Sequence, residues 1–329
     1  MVTIKEVAKK ANVAVSTASY ALNGIKKVSP ETKEKVLQAA RELNYRKNGF
    51  ASDLKRNSTK TLALILSDLS GPFYSELIRG VQDVATDHGY DLIACSAIGG
   101  ENSTAAKFLT EHRVDGCIVL AHNITDEMLK NVAHHHFPII LLDREIEIDS
   151  TVHVRVSNKR GGFKATEYLI QNGHTDIAFV SGPSNSYDNK MRFAGYQEAL
   201  QAYNIEPQNK WVVSGNFTRE GGESAANILA AQDQGPTAVF FANDEMAVGG
   251  MEAFQKRGIS IPNDISIIGF DDILEAKYVN PKLTTIRQPK YEMGASATHL
   301  IFQMLKNEKV NPIFELHTDL IIRESVKKL

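Results

Sequence analysis

At 329 residues, with 43% hydrophobic and 23% charged side chains, the chain has the composition of an ordinary globular protein, long enough for two or three domains that each bury a core. No apolar run approaches the ~18 residues of a membrane span, the first residues lead into a charged helix rather than a signal peptide, and the two cysteines, Cys95 and Cys117, lie in apolar strand-like stretches. These features predict a cytoplasmic protein with buried thiols and no membrane partner. Charge is unevenly divided: residues 1–60 hold 13 Lys or Arg against 5 Asp or Glu, about +8, whereas the whole chain is −2, leaving about −10 for the rest. A basic head on an acidic body is the electrostatic footprint of a nucleic-acid binder.

The head reads as three short helices. Thr3 is placed to cap a first helix over Ile4 to Ala11, with Ile4, Val7, Ala8 and Ala11 on one face. Asn12-Val13-Ala14 is a tight turn, Val15 to Leu22 is a second helix, and Asn23-Gly24 stops it with residues that tolerate positive φ. Ser29-Pro30 opens a third helix with an N-cap and an N1 proline, and Val36, Ala40 and Leu43 form its apolar stripe. Two helices across a tight turn, closed by a third, is the helix-turn-helix plan, in which the second helix enters the major groove. A three-helix protein-binding module with a solvated basic face is the competing reading.

From residue 61 the pattern changes to α/β. Thr61–Leu66 is an apolar strand, followed by a loop and a helix from Tyr74 to His88. Further strands are predicted at Asp91–Ala97, Gly116–Ala121, Pro138–Asp143 and Val152–Val156. A second series runs through Ile177–Ser181, Trp211–Ser214, Ala238–Ala242 and Ser266–Phe270. Short apolar strands separated by helical segments imply parallel sheets, and two series broken near Ser157-Asn158 imply two similar lobes. Asp68, Asp143, Asn243 and Asp271 fall at strand C-termini, where open α/β sheets bind ligands.

Thr3-Ile4-Lys5-Glu6-Val7-Ala8, Ser16 through Gly24, Leu43-Asn44-Tyr45 and Phe50 through Lys55 resemble the start of the LacI/GalR family of bacterial regulators. The later motifs Gly173-His174-Thr175-Asp176, Arg192-Phe193-Ala194-Gly195-Tyr196, Ala242-Asn243-Asp244-Glu245, Ile268-Gly269-Phe270-Asp271-Asp272 and Leu283 through Pro289 extend the resemblance nearly to the C-terminus. It implies a headpiece over 1–47, a hinge helix or linker over 48–60, a first sensor lobe from 61–157 and 288–316, and a second from 158–287 and 317–329. The body would be two-lobed, like periplasmic sugar-binding proteins, with crossings near Ser157, Gln288 and Leu316.

By the same resemblance Val15, Ser16 and Tyr20 read bases, while Thr17, Ser19 and Asn23 face phosphates, and Thr3 is also among the DNA-binding residues. Ala51, Leu54 and Lys55 belong to a hinge that folds on DNA, where paired leucines wedge a base step in the minor groove. Two departures are Ala14, where the family often has a serine cap, and Tyr20, where it often has arginine. Phe73, Tyr74, Asp143, Arg144, Arg192, Phe217, Asn243, Asp271 and Gln288 are similar to the ribose-binding pattern of the superfamily, with Gly71 in place of its asparagine. Aromatic faces for C–H surfaces and paired donors and acceptors for hydroxyls suit an uncharged sugar.

The expected function is therefore a sequence-specific, sugar-controlled repressor acting as a homodimer on operator double-stranded DNA, with no enzymatic activity, catalytic residue, metal or cofactor. No nucleotide loop or nucleophile elbow is present in the sequence. His134-His135-His136 reads as a helix end or loop, since three adjacent histidines cannot face one ion from regular structure. One alternative is a catabolite-control regulator taking a phosphorylated carrier protein as corepressor, with which Asn123 through Glu127 and Val279 through Leu283 are reminiscent. Another is a sugar-binding protein with no DNA role.

Overall fold

A computed structural model describes residues 2–46, 58–134, 136–146, 148 and 150–329. The chain divides into two compact units, Met1–Thr59 and Lys60–Leu329.

In the first unit, α1 (Ile4–Lys10), α2 (Val15–Leu22) and α3 (Pro30–Glu42) pack on one another. The backbone N and the Oγ1 of Thr3 both donate to Glu6 Oε2, at 2.7 and 2.9 Å, which fixes the entry to α1. Ser29 Oγ accepts from Thr32 N and Pro30 occupies the first turn of α3. At α2 the cap position is Ala14, which offers no side-chain acceptor. Val7, Ala8, Ala18, Ala21, Val36, Ala39 and Ala40 form the core. Small alanines at the crossings let the helices approach closely.

The second unit holds two six-stranded sheets. The first, in the order β11-β5-β4-β3-β1-β2, comprises β1 (Thr61–Leu66), β2 (Asp91–Ser96), β3 (Gly116–Leu120), β4 (Ile139–Leu142), β5 (Thr151–Val156) and β11 (Ile313–Leu316), all parallel. The second, β12-β10-β9-β8-β6-β7, comprises β6 (Ile177–Ser181), β7 (Val212–Ser214), β8 (Ala238–Phe241), β9 (Ser266–Asp271), β10 (Thr284–Arg287) and β12 (Asp319–Ile321). In this sheet only β12 runs antiparallel to its neighbour. The central strands are continuous apolar runs because helices cover both faces. The first lobe carries α4 (Tyr74–Asp87), α5 (Thr104–Thr110), α6 (Asp126–Val132) and α11 (Lys290–Leu305). The second carries α7 (Asn158–Gln171), α8 (Tyr187–Ala202), α9 (Arg219–Ala230) and α10 (Asp244–Lys256).

The chain passes between the sheets three times: from β5 into α7 at Ser157, from β10 into α11 at Gln288, and from β11 to β12 through His317-Thr318. Ser157 N and Oγ both donate to Leu316 O, at 2.9 and 2.8 Å, tying the first passage to the third. The three strands with no counterpart in the periodicity reading are β10, β11 and β12. They are only three or four residues long, and Ile313, Phe314 and Glu315 of β11 are exposed, so neither alternation nor an apolar run marks that strand. Cys95 and Cys117 are buried and unbridged, and burial pushes the Cys95 thiol up to about 11.

Candidate functional site

The reading face of α2 follows from its burial. Ala18 and Ala21 point into the three-helix core, which leaves Val15, Ser16 and Tyr20 exposed and Thr17 and Ser19 half-exposed. Asn23 Nδ2 donates to Ser19 Oγ at 3.3 Å, and the Lys27 ammonium lies 5.9 Å from the Tyr20 ring. An exposed valine, a hydroxyl and an aromatic ring flanked by basic side chains can touch base edges while lysines meet phosphates. Thr3 stands at the start of α1 with its hydroxyl committed to Glu6. Ala51, Leu54, Lys55 and most of the hinge lie outside the described residues. Replacing Ser16 with Ala should lower operator affinity about three- to tenfold, the worth of one interfacial hydrogen bond. Gel-shift titration at fixed salt measures it, and unchanged affinity would remove Ser16 from the reading face.

In the second unit a cavity of about 630 Å³ opens between the lobes, at the C-terminal edges of the parallel strands. Of the nine residues expected to contact the effector, Phe73, Tyr74, Asp143, Arg144, Arg192, Phe217, Asn243 and Asp271 line it. Phe73 and Tyr74, where the loop after β1 enters α4, meet edge to face with centroids 5.6 Å apart. Phe217 follows Asn216 in left-handed backbone (φ 64°), and its ring lies 5.7 Å from the Arg192 guanidinium.

Arg192 is the hub. It is 3% exposed, and its Nε donates to Asn158 Oδ1 at 2.9 Å and an Nη to Ala242 O at 2.6 Å. The guanidinium stands 3.5 Å from both Asp188 and Asp271 and stacks 3.9 Å from the Phe270 ring. Its planar fork can serve all these acceptors at once, which a lysine cannot. Asp271 ends β9, and its Oδ1 accepts from Gln288 Nε2 at 2.6 Å. Burial pushes this carboxyl up to about 6, against the downward pull of Arg192 and Lys290. Asp143 directly follows β4 on the opposite lobe and accepts from Val156 N at 2.8 Å. Burial, then the charge of Asp188, raises it to about 7. Tyr74 is raised by burial and by Asp68, Asp188, Asp271 and Glu245. The cavity therefore has a surplus of acceptors and negative charge.

Three expected contacts have other duties. Arg144 reaches the lining, but its guanidinium donates to Ala121 O at 3.0 Å, to Ile124 O at 2.6 Å and to Asp126 Oδ1, and so clamps the loop after β3. Asn243 spends its amide as the N-cap of α10, accepting from Met246 N at 3.0 Å, and donates to Phe217 O at 3.1 Å. Gln288 is 2% exposed and is not on the lining; it stands behind Asp271, orienting its carboxylate. Asn158, Asp188, His122 and Glu245 are not among the residues expected to contact the effector. The Asp188–Arg192 pair carries a readable signal, opposite charges four residues apart. The His122 contact with Ser67 (2.9 Å) joins residues far apart in sequence and carries none. His134 and His136 sit in a surface turn, where His134 packs against His112 and Phe137.

Two family models match the chain: bacterial regulatory proteins of the lacI family over residues 3–48, and a periplasmic binding protein-like domain over residues 166–326. The chain is 38% identical, over the full length of both proteins, to the HTH-type transcriptional repressor PurR of Vibrio campbellii. It belongs to the LacI family of bacterial regulators. This LacI-family chain also resembles solved structures. The lac repressor dimer bound to operator and an anti-inducer covers 99% of each chain at TM-score 0.80 and 26% identity. A LacI family regulator from Enterococcus faecium with bound ribose covers 82% of this chain and 99% of its own at TM-score 0.75 and 31% identity. A complex of the regulator CelR with cellobiose covers 99% and 100% at TM-score 0.73 and 30% identity. The expected fold, a helix-turn-helix head and a two-lobed body with parallel sheets, is borne out. The LacI-family chain is a DNA-binding transcriptional repressor with a ligand-binding body.

Proposed function

We propose that the repressor is controlled by a small neutral sugar, ribose or a close relative, held between the lobes without metal or cofactor. The observation that carries this reading is the convergence of Asp143 from one lobe and Arg192 and Asp271 from the other on a single cavity faced by Phe73 and Phe217. Carboxylates accept from hydroxyls, the guanidinium donates to ring or hydroxyl oxygens, and aromatic faces cover C–H surfaces. The negative surplus favours a ligand rich in donors and disfavours a sugar phosphate. One headpiece reads one half-site, so a homodimer on a near-palindromic operator is the working unit. Among the described residues no helix is long and apolar enough to cross a membrane, and a repressor working on operator DNA acts in the cytoplasm.

Sugar that closes the cleft changes the spacing of the two headpieces. By linkage, operator must weaken sugar binding by the factor by which sugar weakens operator binding, or strengthen it by that factor if the sugar is a corepressor. The test is calorimetric titration with ribose, other pentoses, hexoses, disaccharides, sugar phosphates and nucleobases, followed by addition of each binder to the protein on DNA from its own promoter. Ribose binding that changes operator affinity supports the reading. If no sugar binds, the reading falls, and a phosphorylated carrier protein as corepressor becomes the partner to test.

Binding should also depend on pH. Asp143 and Asp271 have their pKa values raised to about 7 and about 6 in the folded protein, above the ordinary aspartate value. The folded state therefore holds protons that the unfolded state has lost, so this contribution to stability is full at low pH and declines as pH rises from about 4 to about 7. A ligand whose hydroxyls donate to these carboxylates selects the ionised form. Affinity should rise from pH 5 to pH 8, with proton release visible as a dependence of the binding enthalpy on the buffer. A flat profile would mean that neither carboxylate accepts from the ligand.

A further inference from the structure

Glu245 opens α10 just after the Asn243 cap, and its side chain leaves the second lobe to line the cavity. The cavity has other carboxylates, and most are engaged. Asp68 accepts from Ser70 N and Oγ, Asp126 pairs with Arg144, Asp143 accepts from Val156 N, and Asp188 and Asp271 face Arg192. Glu145 is exposed to solvent. Glu245 is half-buried, and among the described residues no hydrogen bond or ion pair involves its carboxylate. Its oxygens are not among the buried atoms that lack a partner, so water reaches them, and a ligand that fills the cavity would have to replace that water with a donor.

Across the cleft stands Gly71, in left-handed backbone (φ 92°), in the loop that leads to Phe73 and Tyr74. A Cβ built on Gly71 would lie 3.2 Å from Glu245 Oε2. A side chain at 71 would crowd the carboxylate, which would have to give by a few tenths of an ångström. Glu245 is thus a point at which the second lobe reaches the first across the cavity, and it does so with a charge.

We propose that Glu245 is a specificity-determining residue of the cleft: opposite Gly71, it accepts a hydroxyl or amino donor of the bound ligand and bars ligands that present an anionic group there. This deepens the sugar reading and rests on it only for the identity of the donor. Burial and the charges of Asp271 and Asp68 hold the Glu245 carboxyl above the ordinary range, which agrees with a group that waits for a donor.

The test uses the full-length protein, two probes and three variants. D-ribose is titrated calorimetrically into wild type, Glu245→Gln and Glu245→Ala. Inorganic phosphate is titrated into the same proteins with the shift in Tm as readout. Asp233→Asn, an exposed site off the cavity lining, controls for net charge. The expected results are ribose affinity about tenfold lower in Glu245→Ala, a phosphate-induced rise in Tm in both Glu245 variants, and no such rise in wild type or Asp233→Asn. Equal phosphate shifts in wild type and the Glu245 variants overturn the proposal, as does an Asp233→Asn variant that behaves like them. Unchanged ribose affinity in Glu245→Ala overturns the donor half. If wild type binds no ribose, the sugar reading fails by itself, and the phosphate titration still decides whether Glu245 guards the cleft.

Discussion

Replacing Asp271 with Asn should lower ligand affinity about 100-fold, while the ligand-free protein keeps operator affinity within about twofold. The carboxylate combines an ion pair with Arg192 at 3.5 Å, a hydrogen bond from Gln288 at 2.6 Å and a place on the cavity lining. A hydrogen bond between a ligand donor and a buried charged group is worth ~1.5–3 kcal/mol, and the substitution also leaves Arg192 with one counter-charge fewer. Asparagine is the informative choice because Asp271 has φ 121°, where alanine adds backbone strain. Asn keeps the acceptor that Gln288 uses, so a loss of binding reports the charge. Fluorescence anisotropy on operator DNA, with and without ligand, separates the two effects. A variant that still responds to ligand at wild-type concentrations would take Asp271 out of the site.

The largest loss of stability should come from Gly195→Ala, on a helix face that never meets the ligand. A Cβ on Gly195 would lie 2.0 Å from Lys159 O and 2.6 Å from Phe163 N, and one on Gly162 would lie 2.3 Å from Arg192 O. Helices α7 and α8 therefore touch backbone to backbone, and the obstructing atoms cannot swing aside. Forcing the helices apart should cost about 3 kcal/mol, a fall in Tm of roughly 6–12 °C for a unit of this size. Because α7 supplies Asn158 and α8 supplies Arg192, ligand affinity should fall with it. Gly89→Ala is the matching control: φ is 70° but nothing lies within 4 Å, so only backbone strain of about 1 kcal/mol is expected. Equal losses in the two variants would mean that the close approach does not matter.

What the sequence made legible was whatever is written in local order. Apolar runs such as Thr61–Leu66 and Ile177–Ser181 became the strands they resemble, and Thr3, Ser29 and Pro30 marked helix starts. The cleft was legible as a set of residues because strand ends gather at one edge of a parallel sheet. The division of labour among them was not. Arg144 binds the protein rather than an open space because the carbonyls of Ala121 and Ile124 converge on it from a loop some twenty residues earlier. No periodicity announces such a convergence. The second duty of Asn243 was within reach, since an asparagine directly before a helical run is a preferred cap. Glu245 and His122 matter through what faces them across the fold.

The double donation from Ser157 to Leu316 O also says how the body can move. With the first and third passages fastened together and the second anchored beside Asp271, sliding of one lobe past the other would have to break these bonds, whereas opening like a book keeps them. The crossings then act as a spine, and a given rotation displaces an atom in proportion to its distance from that spine. In such an opening Asn158 and Asp271, next to the crossings, would move least. Groups far from the crossings would sweep through the largest arc, so a slight turn of the spine would show there first.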